Sequence, residues 1–233
     1  MTRKERFEAV IDYFKITRPD AETELHFGNA YELLVAVILS AQCTDKRVNM
    51  TTPGLFAMYP TVYELAKATY DDVFAIIKSI SFPGNKTRHL LGMAKLLVEE
   101  FNGEVPATLE QLQRLPGVGR KTAHVILSII YNQPTMAVDT HVFRVSKRLG
   151  LATQSAKTPL EIEKQLVKEL PQEVIPKAHH WLILHGRYVC VARSPKCPEC
   201  ALSHFCKYFA QVTSKQMAAA GVPESPAKKP MPN

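Results

Sequence analysis

Apolar residues recur every three or four positions along most of this 233-residue chain, which is the spacing of one face of an α-helix. Leu90, Ala94, Leu97 and Phe101 show the pattern, and residues 31–39 are apolar on nearly every side, which is typical of a buried helix. No stretch alternates with the period of two that strands require. Proline and glycine residues interrupt the pattern often enough to separate about nine or ten helices. The sequence therefore predicts an all-α fold.

The composition is that of a folded protein rather than a disordered or disulfide-rich secreted one. Charged residues make up 22% of the chain, and its five cysteines are an odd number. The longest uncharged apolar stretch, residues 33–44, is too short to cross a bilayer, and the N-terminus lacks the apolar segment of a secretory signal. We therefore expect a cytoplasmic protein with no membrane segment. The net charge of +7 suits either a nucleic-acid partner or simple solubility.

The C-terminal segment, residues 213–233, contains few large apolar side chains. Such a segment cannot bury enough apolar surface to fold by itself. The sequence therefore predicts a disordered tail there.

Four of the five cysteines lie in one short stretch, as Cys190, Cys197, Cys200 and Cys206 with the spacing C-x6-C-x2-C-x5-C. Thiols this close in a cytoplasmic chain indicate a metal site, because disulfides are disfavoured in that compartment. Four thiolates can hold zinc or an iron–sulfur cluster. Structural zinc sites more often pair two C-x2-C knuckles, and only one close pair occurs here. The spacing therefore favours iron–sulfur, with zinc as the alternative.

Basic residues alternate with these cysteines, among them Arg193 and Lys196. A loop held by metal at both ends can present such cations rigidly to DNA phosphates. The same cations could instead offset the negative charge of a thiolate cluster, and both roles are compatible.

A Pro-Gly-x-Gly turn at residues 116–119 separates two helical patterns. Glycines at both turn positions permit positive φ, and without Cβ atoms the N–H groups of Gly117, Val118 and Gly119 can approach an anion closely. The following helix N-terminus also favours negative charge. The pattern is typical of a backbone site for a nucleic-acid phosphate. Many helix–helix turns contain glycine and bind nothing, so the turn alone leaves this open.

Lys121 falls in the first turn of the second helix. A cation there opposes the positive end of the helix dipole, at a cost of up to about 1 kcal/mol. That position favours the neutral amine, which is the form that acts as a nucleophile. Lys121 is therefore a candidate nucleophile, and phosphate binding as a point charge is the alternative.

Asp139 precedes a further helical pattern and is predicted to be its N-cap. That structural role alone would account for the residue. An N-cap carboxylate is also a fixed negative charge, and facing a cleft it would stabilise a developing cation. We prefer this electrostatic role to proton acceptance from Lys121.

The glycine hairpin with its lysine, the Val-Asp-Thr-His segment and the four-cysteine pattern occur in one order. In this combination the chain resembles the helix-hairpin-helix DNA glycosylases over residues 1–210. The resemblance implies a six-helix barrel at residues 23–132, and a second domain made of residues 1–22 and 133–212. It also implies a 4Fe–4S cluster on the four cysteines and a cleft between the domains.

The implied activity is that of a bifunctional DNA glycosylase and AP lyase of base excision repair. Such an enzyme would act as a monomer on double-stranded DNA that contains oxidised pyrimidines or abasic sites. Lys121 matches the family's nucleophile, which forms a Schiff base at C1′ before β-elimination cuts the strand 3′ to the site. Asp139 matches the family's essential carboxylate. Because no N-terminal extension precedes the motifs, we expect a prokaryotic, nucleoid-associated enzyme.

Two further residues match family positions that enter the DNA. Gln42 matches the residue that fills the gap left by the flipped nucleotide, and Phe82 falls where the opposite wedge is expected. Phe82 is followed by Pro-Gly-Asn-Lys instead of the commoner Tyr-Asn-x-Lys, so opposite-base preference stays open. Lys121 argues against mismatch-specific relatives that lack this lysine. A DNA-binding module with structural zinc is the alternative from another class.

Overall fold

The computed structural model describes residues 1–219. Within them the chain forms twelve α-helices and three short 3₁₀ turns, with no strand, so the predicted all-α fold is confirmed. More helices occur than expected because α4 and α7 have only six residues each, too few to show a period. The helices are α1 (Arg3–Thr17), α2 (Ala30–Ser40), α3 (Asp45–Met58), α4 (Val62–Lys67), α5 (Tyr70–Ile77), α6 (Pro83–Phe101), α7 (Leu109–Arg114), α8 (Arg120–Tyr131), α9 (Thr140–Leu149), α10 (Pro159–Glu169), α11 (Ile175–Tyr188) and α12 (Lys207–Ala219).

The described chain divides into two compact units. The first contains Ala21–Val138 and Leu170–His180, and the second contains Met1–Asp20, Asp139–Glu169 and the residues from Trp181 onward. Residues 133–138 and 170–180, which we expected in the second domain, group with the first unit. In the second of these segments Leu170, Val174 and Ile175 are buried, and the short 3₁₀ turn at Gln172–Val174 interrupts the helical period there.

The core of the first unit is built around α2, as its sequence predicts. Residues 33–39 are all buried, so the helix is surrounded on every side. It packs against α3, α6 and α8, while α4 and α5 pack against α6. A helix buried in this way gives a fixed base for the loops at its end, including the loop that carries Gln42.

The second unit is held together by its N-terminal helix. Phe14 of α1 stacks on Trp181 with ring centroids 5.6 Å apart, and the indole N–H of Trp181 donates to the carbonyl of Arg18 at 2.7 Å. The guanidinium of Arg3 donates to the carbonyl of Leu151 at 2.8 Å. These contacts join residues from distant parts of the sequence, which explains why the N-terminal segment belongs to this unit.

The C-terminal helix α12 continues to Ala219, past residue 213 where the tail was predicted to begin. Alanine, glutamine, methionine and lysine favour helix, and this propensity outweighs the lack of large apolar residues. The rest of the predicted tail, residues 220–233, lies outside the described residues. Among the described residues, no helix combines the length and apolar character needed to cross a membrane.

Candidate functional site

The glycine hairpin lies between α7 and α8. The N–H of Val118 donates to the carbonyl of Leu115 at 3.0 Å and closes the turn. Gly117 has a φ of +82°, and a Cβ there would lie 2.9 Å from the Cβ of His89, so two constraints require glycine. Gly119 differs from the expectation. It is the N-cap of α8 with a φ of −88°, an ordinary extended conformation.

Among the described residues, a Cβ at position 119 would meet no atom within 4 Å, so packing there does not require glycine. The N–H groups of Gly117 and Gly119 donate to no acceptor within the described residues, whereas that of Val118 is used in the turn. Val118 also has a buried side chain. Two unused donors and an open surface therefore lie at the N-terminus of α8, which has no side-chain cap. This arrangement suits an anion that approaches from outside.

Lys121 is the second residue of α8, and its side chain is exposed. The opposite face of α8 is fixed by buried residues such as Ala123 and Ile126. The carbonyl of His124 accepts a hydrogen bond from the hydroxyl of Thr135 at 2.8 Å. Lys121 is therefore carried on an anchored helix, two residues after Gly119.

Asp139 is the N-cap of α9, as predicted. Its Oδ1 accepts hydrogen bonds from the N–H groups of His141 and Val142, both at 2.8 Å. Its Oδ2 lies 2.9 Å from Nδ1 of His141, and the Asp139 side chain is only 13% exposed. These contacts fix the orientation of the carboxylate and surround it with donors. This orienting role of His141 was not predicted from the sequence, because a histidine two residues after a cap is usually structural.

Lys121 belongs to the first compact unit and Asp139 to the second. Lys121 is exposed at the second position of α8, and Asp139 is the N-cap of α9. The backbone position of each residue is therefore set by the start of its own helix.

Gln42 and Phe82 both lie in the first unit, and both have left-handed backbones. Their φ values are +53° and +55°, which residues other than glycine and asparagine rarely adopt. Gln42 is exposed in the loop between α2 and α3. Phe82 precedes α6 and is 62% exposed, unusually high for an aromatic side chain. Strain combined with exposure is typical of functional positions.

The four cysteines of the predicted cluster line one cavity in the second unit, together with apolar residues such as Leu149 and Val189. Two 3₁₀ turns, Cys197–Glu199 and Ser203–Phe205, set the positions of the last three cysteines. Cys190 follows the end of α11, where its N–H donates to the carbonyl of His185 at 2.7 Å. The prediction that these residues come together is supported by this cavity.

The chemistry of the donor set fits a positively charged metal group. Burial raises the pKa values of the Cys197, Cys200 and Cys206 thiols, and neighbouring cysteines raise them further. A cationic group would favour the thiolates that the protein alone disfavours. Among the described residues, no three His, Cys, Asp or Glu side chains converge on a point that would hold a single metal ion. The four thiols are a donor set that fits either zinc or an iron–sulfur cluster.

Two arginines of α9 hold the cysteine loop, and sequence reasoning missed both. Arg148 donates to the carbonyls of Val191 at 2.8 Å and Ala192 at 2.7 Å, and its Nη1 lies 3.5 Å from Sγ of Cys190. Arg144 donates to the carbonyl of Cys190 at 3.0 Å. Their spacing of four residues on one helix face was the available signal, but charged pairs of this kind are usually solvated.

Arg193 and Lys196 both have exposed side chains within the cysteine loop. The N–H of Lys196 donates to the carbonyl of Val189 at 3.0 Å, which fixes the backbone at that point. The loop therefore presents two cations outward from an anchored backbone.

Comparison with known proteins agrees with this geometry. Residues 35–172 match the sequence profile described as HhH-GPD superfamily base excision DNA repair protein. Endonuclease III of Rickettsia felis is 43% identical over 200 residues, which are 86% of this chain and 93% of that protein. Endonuclease III of Escherichia coli K12 is 40% identical over 212 residues, which are 91% of this chain and 99% of that protein.

A solved structure of a trapped endonuclease III–DNA covalent intermediate matches with a TM-score of 0.85 and 42% identity, covering 91% of this chain and all of that one. The chain therefore belongs to the HhH-GPD superfamily of base excision DNA repair proteins. Within that family it is a DNA glycosylase that also has AP lyase activity.

Proposed function

We propose that Lys121 is the nucleophile of this glycosylase/lyase reaction and that Asp139 stabilises its transition state. The neutral Nζ of Lys121 forms a bond to C1′ of the damaged nucleotide while the bond from C1′ to the base breaks. The base leaves with the bonding electrons and takes up a proton. The sugar ring then opens at the C1′–O4′ bond, O4′ accepts the proton from the amine, and a Schiff base links Lys121 to C1′.

The Schiff base acidifies the C2′ proton. Its removal sends the electron pair towards C3′, and β-elimination expels the 3′ phosphate and cuts the strand. Asp139 stabilises the positive charge that develops at C1′, because its carboxylate is held in one orientation by three hydrogen bonds. This fixed geometry suits electrostatic stabilisation better than proton transfer, which requires an available oxygen.

The observation that carries the proposal is the position of Lys121. Its side chain is exposed in the first turn of α8, two residues after Gly119 and four after Gly117, whose N–H groups are unused among the described residues. These donors, together with the N-terminus of α8, would hold a DNA phosphate close to the amine. Binding energy from the phosphate would thus be available to orient C1′ for attack.

The proposed substrate is double-stranded DNA that contains oxidised pyrimidines or abasic sites. Phe82 and Gln42 would occupy the space left when the damaged nucleotide is flipped out of the helix. Their exposure and left-handed backbones support this role. The bacterial relatives support a cytoplasmic, nucleoid-associated enzyme, and we propose that it acts as a monomer.

We also propose that Cys190, Cys197, Cys200 and Cys206 hold a 4Fe–4S cluster. When bound, the cluster would supply a cross-link that fixes the loop between its ligands. Arg193 and Lys196 would then contact DNA phosphates from a rigid loop. Purified protein with visible iron–sulfur absorbance would support this assignment, and colourless protein containing zinc would contradict it.

Borohydride trapping on a duplex with an abasic site or thymine glycol tests the catalytic proposal. We expect a covalent protein–DNA band that disappears in Lys121→Gln. Lys95→Gln is the matched control, because Lys95 is exposed on α6 and takes no part in the proposed chemistry. A band that persists in Lys121→Gln would assign the imine to another amine. Base release without any band would indicate a monofunctional glycosylase.

A further inference from the structure

Lys86 is a buried cation that the proposed chemistry does not use. It lies in the first part of α6 and is only 5% exposed. Its Nζ donates to the carbonyl of Leu39 at 2.8 Å and to that of Ala41 at 2.6 Å. A buried lysine needs such partners, since an unpaired ammonium is strongly disfavoured in the protein interior.

The carbonyls that Lys86 contacts lie at the C-terminal end of α2. Carbonyls there lack partners within the helix, and the helix dipole is negative at that end. A cation is therefore favourable at this point. Burial nevertheless lowers the pKa of Lys86, and nearby Cys43 opposes that shift. The lysine is held by these two contacts in spite of the cost of burying its charge.

Lys86 connects the two loops that carry Gln42 and Phe82. Ala41, which accepts from the Lys86 ammonium, directly precedes Gln42 in the chain. At the other end of the same residue, the backbone N–H of Lys86 donates to the carbonyl of Phe82 at 3.2 Å. One residue therefore contacts the backbone beside both exposed side chains.

Both connected positions have conformations that need external support. Gln42 and Phe82 have φ values of +53° and +55°, and such backbones persist only where the surroundings hold them. The bond from the Lys86 N–H to Phe82 is the first backbone bond of α6, which any residue but proline would make. The support that depends on the lysine is its ammonium, which ties the carbonyls of Leu39 and Ala41 to the helix that Phe82 begins. A change in Lys86 is therefore expected to alter the separation of the two side chains.

We propose that Lys86 is a positioning residue that sets the spacing between Gln42 and Phe82 for entry into lesion-containing DNA. The inference rests on the proposed function, because it requires that Gln42 and Phe82 fill the space around a flipped nucleotide. Lys86 itself contacts no DNA in this proposal. It acts through the two backbones that it joins.

The test begins with Lys86→Met, which keeps the apolar stem and removes the ammonium. Lys95→Met is the control, because it makes the same substitution at an exposed position of α6. Binding is measured by fluorescence anisotropy on a duplex with a tetrahydrofuran abasic analogue, which cannot form a Schiff base, and on the undamaged duplex. We expect Lys86→Met to weaken lesion binding roughly ten- to hundredfold, with undamaged binding unchanged.

A double-mutant cycle separates positioning from a general structural role. If Lys86 acts through the two side chains, Lys86→Met adds no further loss once Gln42→Ala and Phe82→Ala are both present. An equal loss on undamaged DNA, or a full additional loss in that background, would overturn the inference while leaving the Lys121 chemistry intact. If Gln42→Ala with Phe82→Ala binds the lesion normally, their proposed DNA role fails and the inference fails with it.

The cycle is repeated with Lys86→Arg if Lys86→Met does not fold. Arginine keeps the charge and the donors, but its planar group cannot reproduce two converging bonds from one nitrogen. We again expect a selective loss of lesion binding that vanishes when Gln42 and Phe82 are alanine. Wild-type affinity for the lesion in folded Lys86→Arg would contradict a positioning role that depends on this geometry.

Discussion

Replacement of each hairpin glycine by alanine is expected to affect a different property: stability at position 117 and DNA affinity at position 119. At position 117 the backbone is left-handed, which costs an L-residue roughly 1–2 kcal/mol. The new Cβ would also lie 2.9 Å from the Cβ of His89, so a side chain packed against the turn must move. Alanine restricts the unfolded chain and returns about 0.4–1 kcal/mol. We therefore expect Gly117→Ala to destabilise the protein by about 2 kcal/mol.

Position 119 has the reverse properties. Its extended backbone suits alanine, and the Cβ would meet no described atom within 4 Å, so restriction of the unfolded chain would return about 0.4–1 kcal/mol. Alanine is a poorer N-cap than glycine, which offsets that gain, so stability should stay about unchanged. The methyl group would, however, keep a phosphate from the N–H groups at the start of α8. Loss of one hydrogen bond to a charged group is worth about 1.5–3 kcal/mol, which is roughly ten- to hundredfold in affinity.

The assay pairs thermal unfolding with anisotropy on a lesion duplex at fixed salt. For a protein of this size, about 2 kcal/mol corresponds to a fall in Tm of roughly 4–8 °C for Gly117→Ala. Gly119→Ala should keep its Tm and lose DNA affinity. If Gly119→Ala binds DNA like the wild type, the hairpin is not the phosphate site. If the Tm of Gly119→Ala falls as far as that of Gly117→Ala, a Cβ at position 119 is not tolerated and the stability argument is wrong.

Three other predictions concern Asp139, Arg148 and His180. Asp139→Asn keeps an N-cap acceptor, so its Tm should change little. Single-turnover cleavage of lesion DNA should slow about a hundredfold, because the carboxylate charge is lost. An unchanged rate would show that this charge does not contribute to catalysis. Arg148→Met removes the bonds to Val191 and Ala192 and should speed loss of visible iron–sulfur absorbance on exposure to a chelator, whereas Arg193→Met should not. Burial and nearby Lys177 lower the pKa of His180 to about 4 from 6.5. The unfolded state therefore binds the proton first, and stability should fall by up to about 3 kcal/mol as pH drops from 6.5 to 4. Urea unfolding should show a smaller fall in His180→Leu, and an equal fall would assign the acid sensitivity elsewhere.

Local sequence patterns predicted the features that neighbouring residues determine. The buried helix α2 follows from a continuous apolar run, and the cap at Asp139 from its place before a helical period. The contacts made by Lys86 and Arg148 could not be found in this way. Each joins positions more than 40 residues apart, and a single sequence contains no pairing signal for them. The ordinary backbone at Gly119 was not predicted. A glycine in a sequence can mark either a positive φ or a place where a bound molecule approaches the backbone, and its identity alone does not show which.

The distribution of backbone strain separates structural positions from functional ones in the described residues. Four residues other than glycine have positive φ there: Gln42, Phe82, Asn102 and Asn132. The two asparagines are C-caps of α6 and α8, where the left-handed conformation ends a helix and asparagine tolerates it well. Gln42 and Phe82 have no such tolerance and end no helix with that conformation. Residues better suited to these backbones would relieve the strain, so their side chains must be needed for another reason. Both are exposed and lie beside backbone that Lys86 contacts, and we propose that the reason is contact with the DNA lesion.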